Sequence, residues 1–241
     1  MWTREELKTR AKAVLSKNYW QAFAVALVVC LIGTEGGGGG SSARGAQQNT
    51  HYYGDVDAHF LVGTFLIATI IGLVILCIRL FVGYMIEVGG RRFFIKAAQG
   101  ESNMSYLGSS FNRNDYWDVF KSMLYRDVLT FLWTLLLIIP GIIKGYAYRM
   151  VPYILADNPN IGYKRAVELS NAMTMNQKFD IFVLDLSFIG WYLLGTIALG
   201  VGVLFVKPYD YSTNGELYLK LREQALEKGI CSYEELNLQA E

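Results

Sequence analysis

The 241-residue sequence has little charge and few of the residues that cross-link chains or bind metals. Only 18% of its residues are charged, whereas about 25% are charged in a typical soluble domain. The net charge is +1, so no overall basic surface indicates a nucleic-acid partner. Three cysteines are too few for a disulfide framework, and two of them, Cys30 and Cys77, stand inside apolar runs, where a thiol behaves as a small hydrophobic group.

Motifs for catalysis, cofactors or metals are missing too. His51, Asp55, Asp57 and His59 are residue types that bind metals, but they follow no ligand spacing. The glycine run Gly36–Gly40 lacks the GK[ST] ending of a phosphate-binding loop. The apolar segments contain no Ser/His/Asp grouping and no HExxH motif. We therefore predict no metal, no cofactor and no enzymatic activity.

The sequence is instead rich in long apolar runs, and its mean hydropathy is +0.26. Phe60–Ile78 is free of charge throughout, and a run of about 18 or more apolar residues is typical of a transmembrane helix. The apolar run 19–32 has the length of a signal-peptide core. However, Thr3 and Glu6 have capping-box spacing, which favours a retained helix before that run. The sequence therefore predicts an all-α membrane protein.

We predict a polytopic helix bundle with six membrane segments, some of them short or broken. They are expected at about 19–32, 60–86, 128–139 and 142–156, with two more within 180–206. A single crossing by 180–206 remains the alternative, since this stretch is long for one span and short for two. Apolar residues interleaved with Lys and Arg predict amphipathic surface helices on the cytoplasmic face at 1–18 and 105–127.

The chain is predicted to divide into three units. They are an N-terminal interfacial helix at 1–18, a membrane domain at 19–212 with a flexible glycine-rich outer loop at 33–59, and a cytosolic helical tail at 213–241. Within the tail, Gly229 is expected to end a helix, and Ser232 and Glu235 have the spacing of a second capping box.

The stretch 128–157 decides the predicted topology. As one helix its 30 residues would run about 45 Å, but the hydrocarbon core of a bilayer is only about 30 Å thick. Pro140 lacks the amide that a helix interior needs, and Gly141 suits a turn. We therefore predict that Pro140 and Gly141 form a helix-breaking turn between two segments. Most Lys and Arg residues then fall on one side, which places both termini in the cytoplasm.

Several charged residues lie inside or beside the predicted segments. An arginine at the centre of a membrane helix costs about 2.5–3.5 kcal/mol on insertion scales, so it is usually paired or close to water. We therefore predict an intramembrane polar pair of Arg149 and Asp185, either as part of a functional site or as a structural link. Arg91 and Arg92 follow two glycines and are candidates for contacts with anionic headgroups, with an ordinary positive flank as the alternative.

Three stretches together resemble a known family. They are LWTLLLIIPGIIKGYAYRMVPYILADNP, RAVELSNAMTMNQKFDIFVLDLSFIGWYLL and KPYDYSTNGELY. With the opening WTREELKTRAK and the segment VGGRRFF, they resemble the bacterial domain-of-unknown-function family 975 over nearly the whole chain. The resemblance implies an integral membrane protein without an assigned reaction. A fainter similarity, in Pro140-Gly141, 166–175 and Leu217–Arg222, extends to the membrane domain beside some glycerophosphodiester phosphodiesterases, whose activity is not implied because their catalytic domain is absent here.

The expected function is that of a non-enzymatic membrane component that organises or assists lipids or partner membrane proteins. Its expected partners are the lipid bilayer, including anionic headgroups, and a membrane protein, but not nucleic acid. The expected location is the bacterial cytoplasmic membrane. Two other functions stay open: a small transporter subunit or permease, and a membrane enzyme that acts on lipids.

Overall fold

A computed structural model describes residues 2–32, 58–112, 114–197 and 201–238. Within these ranges the chain is helical and has no strand, so the predicted all-α class is confirmed. The α-helices are α1 (Arg4–Ile32), α2 (Ala58–Ile78), α3 (Tyr84–Ala98), α4 (Tyr116–Leu136), α5 (Ile138–Ala147), α6 (Val151–Asp157), α7 (Tyr163–Met173), α8 (Lys178–Ile197) and α9 (Val201–Glu227). Most of the predicted loop 33–59, with His51, Asp55 and Asp57, lies outside the described residues.

Three helices in the described ranges are long and apolar enough to cross a membrane. They are Arg4–Ile32, the continuous helix Gly63–Ala98 and Lys178–Ile197. The second of these includes a π-helical turn, Arg79–Gly83, that joins α2 to α3. Six crossings are thus not confirmed, and the count beyond these three helices stays a prediction.

Helix α1 contains both the predicted surface helix and the first predicted membrane segment. Thr3 caps its start as the spacing predicts, because Thr3 Oγ1 accepts a hydrogen bond from the Glu6 amide at 3.2 Å. The helix kinks at Asn18, whose φ of −134° and ψ of 30° are not helical. The kink therefore separates the two halves where the sequence predicts a boundary.

The apolar stripe on the first half of α1 packs against protein. Leu7, Ala11 and Leu15 are buried, and α9 packs against α1, with Glu216 and Lys220 beside Arg10 and Glu6. The expectation that this stripe rests on the membrane surface is therefore wrong, since packing against protein already covers it. The position of the helix at the membrane interface stays a prediction.

The second predicted surface helix, 105–127, is not a single helix. Residues Met104–Phe111 form a 3₁₀ turn that packs against α3. Helix α4 then begins at Tyr116 and continues without a break to Leu136. The third predicted membrane segment is thus the second half of α4 rather than a separate element.

Helices α4 and α5 form a tight hairpin whose break lies at Leu137. The φ of −157° and ψ of 136° at Leu137 are extended, and α5 begins at the next residue. The prediction that Pro140 and Gly141 form the turn is therefore corrected by three residues. Pro140 lies in the first turn of α5, where a missing amide is tolerated. Gly141 lies against α4, since a Cβ there would stand 2.6 Å from the Cα of Thr134.

Helices α8 and α9 also reverse the chain. A Cβ on Gly195 would lie 2.7 Å from the amide nitrogen of Val203, so the two helices meet closely near their junction. The predicted breaks near Gly190 or Gly195 are wrong, because α8 continues to Ile197. The reversal favours two segments over one within 180–206, and residues 198–200 lie outside the described ranges.

The C-terminal tail follows its predicted local structure, although its helix begins earlier. Helix α9 passes through the predicted unit boundary at 212–213 without a break. It ends just before Gly229, whose φ of +64° favours glycine. Ser232 Oγ then accepts a hydrogen bond from the Glu235 amide at 3.1 Å, as the second capping-box spacing predicts.

The buried and the exposed apolar residues lie in different elements. Helix α3 and helix α6 are buried over most of their length. In contrast, residues 64–78 of α2 are all exposed. The tip of the α4–α5 hairpin and one side of α8 are also exposed and apolar. A soluble protein rarely shows apolar surface of this extent, so these faces indicate contact with lipid or with another protein.

Candidate functional site

The fourth predicted membrane segment is broken into α5 and α6, and Arg149 stands in the break. Residues 148–150 form a turn between the two helices. Helix α7 supplies the hydroxyl that satisfies the freed backbone: Ser170 Oγ accepts from the Met150 amide at 3.1 Å and donates to the Ala147 carbonyl at 2.8 Å. Thr174 Oγ1 also donates to the Ala147 carbonyl, at 3.3 Å. The turn is thus a supported structure that aims Arg149 at α8.

The structure brings Arg149 and Asp185 together. Arg149 Nη2 donates to Asp185 Oδ1 at 2.9 Å, and Arg149 Nη1 donates to Asp185 Oδ2. The contact is therefore bidentate, which is the strongest arrangement of an arginine with a carboxylate. The arginine side chain is 24% exposed and the aspartate side chain 33% exposed, so the pair is reachable from outside the protein.

Helix α9 extends this pair into a larger network. Arg149 Nη2 also donates to Asn214 Oδ1 at 2.9 Å. Asn214 Nδ2 in turn donates to Asp210 Oδ1 at 2.8 Å. The hydroxyl of Tyr192 donates to Asp210 Oδ2, and that of Tyr146 donates to Asp185 Oδ2 at 3.0 Å. We call these six residues the Arg149 network: Tyr146, Arg149, Asp185, Tyr192, Asp210 and Asn214.

The Arg149 network contains charges of both signs. It contains one arginine and two aspartates, and the ammonium group of Lys207 lies 5.6 Å from the ring centre of Tyr192. The charges of the network and of Lys207 therefore balance. Connected polar groups of this kind rigidify the helices that carry them, and in membrane proteins they also line paths for ions or substrates.

The two arginines predicted to contact headgroups have different positions. Arg91 is buried in α3, and its guanidinium lies over the rings of Tyr153 at 5.1 Å and Tyr211 at 4.5 Å. The expectation of a headgroup contact is therefore corrected for Arg91, because stacking between aromatic rings keeps it inside the protein. Arg92 is only half-buried, so its contact with headgroups stays a prediction.

A second buried charge cluster escapes prediction from the sequence. Glu87 of α3 is fully buried, and Arg126 Nη1 of α4 donates to it at 3.1 Å. Arg126 Nε also donates to its neighbour Asp127 at 2.8 Å, and the Tyr84 hydroxyl donates to Asp127 at 2.7 Å. The pattern that could have indicated it is an acidic residue, Glu87, directly after the long apolar run.

A cleft of about 700 Å³ lies between the start of α1 and the start of α8. It is lined by Trp2, Arg4, Glu5, Lys8, Asp180 and Ser187 among others. Charges of both signs face it, so it offers no purely basic surface to an anion. Among the described residues no group of three His, Cys, Asp or Glu side chains is placed to hold a metal ion.

The tail is attached to α7 by an ion pair. Arg165 Nη2 donates to Glu235 Oε2 at 3.1 Å and to the Ile230 carbonyl at 2.8 Å. The hydrogen bonds from Arg165 hold the pKa of the Glu235 carboxyl below its ordinary value of 4.5. Ser170, which supports the Arg149 turn, also lies in α7. The Arg165–Glu235 ion pair therefore connects the tail to the helix that supports the Arg149 network.

These features define an all-α helix bundle with a supported break, a charged network and three helices apolar enough for a membrane. The family model described as Protein of unknown function (DUF975) matches residues 120–225 of the chain. The match supports the resemblance to that family over residues 120–225, which is less of the chain than expected. No curated protein and no solved structure matches the chain, and the similarity to glycerophosphodiester phosphodiesterases is not shown.

Proposed function

We propose that the protein is a non-enzymatic membrane component that organises or assists lipids or partner membrane proteins in the bacterial cytoplasmic membrane. The observation that carries this proposal is helix α2. Residues 64–78 are all exposed, although all except Thr64 and Thr69 are apolar and they lie in the longest apolar helix of the described ranges. In water such a surface would be unfavourable, so α2 needs lipid or another membrane helix around it.

The attachment of α2 supports a role in holding a partner. Its continuation, α3, is buried at the centre of the protein, and it packs against α1, α6 and α9. An exposed apolar helix is thus joined without a loop to a largely buried one. Contacts made by α2 would therefore be transmitted directly to the packed part of the chain.

Site-specific photo-crosslinking in native membranes tests the proposal. A photoreactive amino acid replaces Leu73, which is exposed on α2, or Met85, which is fully buried on α3. The proposal expects a discrete protein adduct or a lipid adduct at Leu73 and none at Met85. Crosslinks from Leu73 only to other parts of the same chain would overturn it, because α2 would then be a packing element of this protein.

A transporter subunit or permease is the second candidate, and the Arg149 network favours it. Helices broken near charged residues are a feature of transporters, where they bind ions or substrates. The break at 148–150 and the aspartates on α8 and α9 have this arrangement. Uptake by vesicles that contain the purified protein, abolished by Asp210→Asn, would favour this candidate over the first.

A further inference from the structure

The α4–α5 hairpin carries an uninterrupted apolar surface to its tip. From Val128 to Ile143 the chain has no charged residue. The five residues around the turn, Leu135–Ile139, are each at least 61% exposed. A hairpin that emerged on the far side of a membrane would need a polar turn to meet water there. The turn of this hairpin is its most exposed apolar part.

The threonine hydroxyls inside the hairpin donate to the backbone of the hairpin itself. Thr130 Oγ1 donates to the Arg126 carbonyl at 2.9 Å, and Thr134 Oγ1 donates to the Thr130 carbonyl at 2.8 Å. At the turn, the Leu137 amide donates to the Trp133 carbonyl at 3.1 Å. Pro140 has no amide that would need a partner. These hydroxyls and the Leu137 amide therefore need no water as a partner.

The charged residues near the start of α4 argue against a full crossing. A core of about 30 Å would require about 20 helical residues on each side of the turn. Counting back from Leu137, a crossing helix would begin near Trp117 and would place Asp118 and Lys121 in the hydrocarbon. These two side chains are 46% and 60% exposed. They would face acyl chains directly, which is strongly unfavourable for charged groups.

The apolar part of the hairpin has the depth of one leaflet. Ten residues separate Asp127 from Leu137, which corresponds to about 15 Å of helix, or half of the hydrocarbon core. On the return, the Lys144 ammonium group lies 5.1 Å from the ring centre of Trp133 and 5.7 Å from that of Tyr148. Lysine and aromatic side chains are typical of the boundary between acyl chains and headgroups.

We propose that the α4–α5 hairpin enters one leaflet, contacts acyl chains with its tip and returns to the face from which it came. The expected pair of crossings at 128–156 is then replaced by a re-entrant element. Both arrangements leave residues 87–127 and 157–180 on the same side, so the distribution of Lys and Arg does not distinguish them. The inference does not depend on whether α2 holds a partner.

Single-cysteine variants of the full chain in lipid vesicles test the proposal, with Cys30, Cys77 and Cys231 replaced by alanine. Leu137→Cys places a fluorophore at the tip, Lys144→Cys at the base, and Lys121→Cys provides a reference outside the bilayer. Spin-labelled phospholipids quench the fluorophore, with the label on acyl carbon 5 or 12. We expect carbon 12 to quench the tip more strongly than carbon 5, and the reverse at Lys144→Cys.

An impermeant maleimide then decides between entry and crossing. The proposal expects that Lys144→Cys and Lys121→Cys are labelled from the same face. It expects that Leu137→Cys is labelled from neither face. Labelling of the tip from the face opposite to Lys121→Cys would show a crossing. Absence of lipid quenching at the tip would show that protein or water covers it. Either result overturns the proposal, and Ile139→Cys provides a second tip position if Leu137→Cys does not fold.

Discussion

Arg149 and Asp185 are 36 residues apart in the sequence, and their side chains form a bidentate ion pair. The arginine leaves the break between two short helices, and the aspartate lies in the first half of α8. The contact therefore helps to fix the orientation of a turn that belongs to neither helix. Its position between α5, α6 and α8 makes it the link on which the Arg149 network depends.

Arg149→Ala and Asp185→Ala are expected to lower stability by more than unrelated surface changes do. Each removes hydrogen bonds to a charged group and leaves its partner charge unpaired, a loss of about 1.5–3 kcal/mol. The double variant should be milder than the sum, with a coupling energy of about 0.5–3 kcal/mol. Thermal unfolding in detergent measures all three variants. Strictly additive losses would show that the pair contributes nothing of its own.

Ser170→Ala tests the support of the Arg149 turn. The serine hydroxyl is the buried partner of the Met150 amide and of the Ala147 carbonyl, so its removal should cost about 1–3 kcal/mol. Ser16→Ala is a suitable control, because Ser16 is exposed and donates only to the Ala13 carbonyl, and such changes usually stay within about 0.5 kcal/mol. Equal unfolding temperatures of the two variants would contradict the proposed support.

The sequence predicts the local caps and the Arg149–Asp185 contact because each follows from a short-range or strong rule. Thr3 and Ser232 cap helices through residues three positions away. A charge inside an apolar segment needs a partner, which leaves few candidates. The turn at Leu137 was missed because Pro140 is the obvious helix breaker, whereas a proline in the first turn of a helix breaks nothing.

Tertiary packing explains the other differences between the predictions from the sequence and the structure. The burial of Arg91 depends on Tyr153 and Tyr211, which arrive from distant parts of the chain. The amphipathic stripe of α1 has the same pattern whether it faces lipid or a protein helix, so only the position of α9 decides between them. Ser170 could not be recognised either, since a serine in a helix gives no indication of which backbone it meets.

The Arg165–Glu235 ion pair predicts that stability falls at acidic pH. The folded pKa of Glu235 lies below 4.5, so the carboxylate form favours the folded state. The stabilisation is fully present at neutral pH and is lost as the pH falls below about 4.5 through the folded pKa. Because both side chains are partly exposed to solvent, we expect only about 1 kcal/mol.

Glu235→Gln measures this contribution. The variant should be less stable than the unmodified chain at pH 7 and should approach it in stability toward pH 3, because the protonated glutamate also lacks the charge. Chemical unfolding at several pH values, with 1 M salt as a further condition, gives the comparison. A stability difference that does not change with pH would exclude titration of Glu235 as its source.

Gly141 and Gly145 form a matched pair within α5 that tests how closely the hairpin packs. A Cβ at Gly141 would stand 2.5 Å from Thr134 Oγ1 and 2.6 Å from Thr134 Cα, whereas nothing lies within 4 Å of a Cβ at Gly145. Gly141→Ala should therefore force α4 and α5 apart and destabilise the protein by about 1–3 kcal/mol.

Gly145→Ala should change stability in the opposite direction and stabilise the protein. An alanine in an open position of a helix is more favourable than glycine by about 0.5–1 kcal/mol, because it loses less backbone freedom on folding. Thermal unfolding in the same detergent compares both variants with the unmodified chain. The same sign of change at both positions would show that helix propensity, not the contact of Gly141 with Thr134, determines the response. Opposite signs would show that the close approach of the two helices requires glycine at 141.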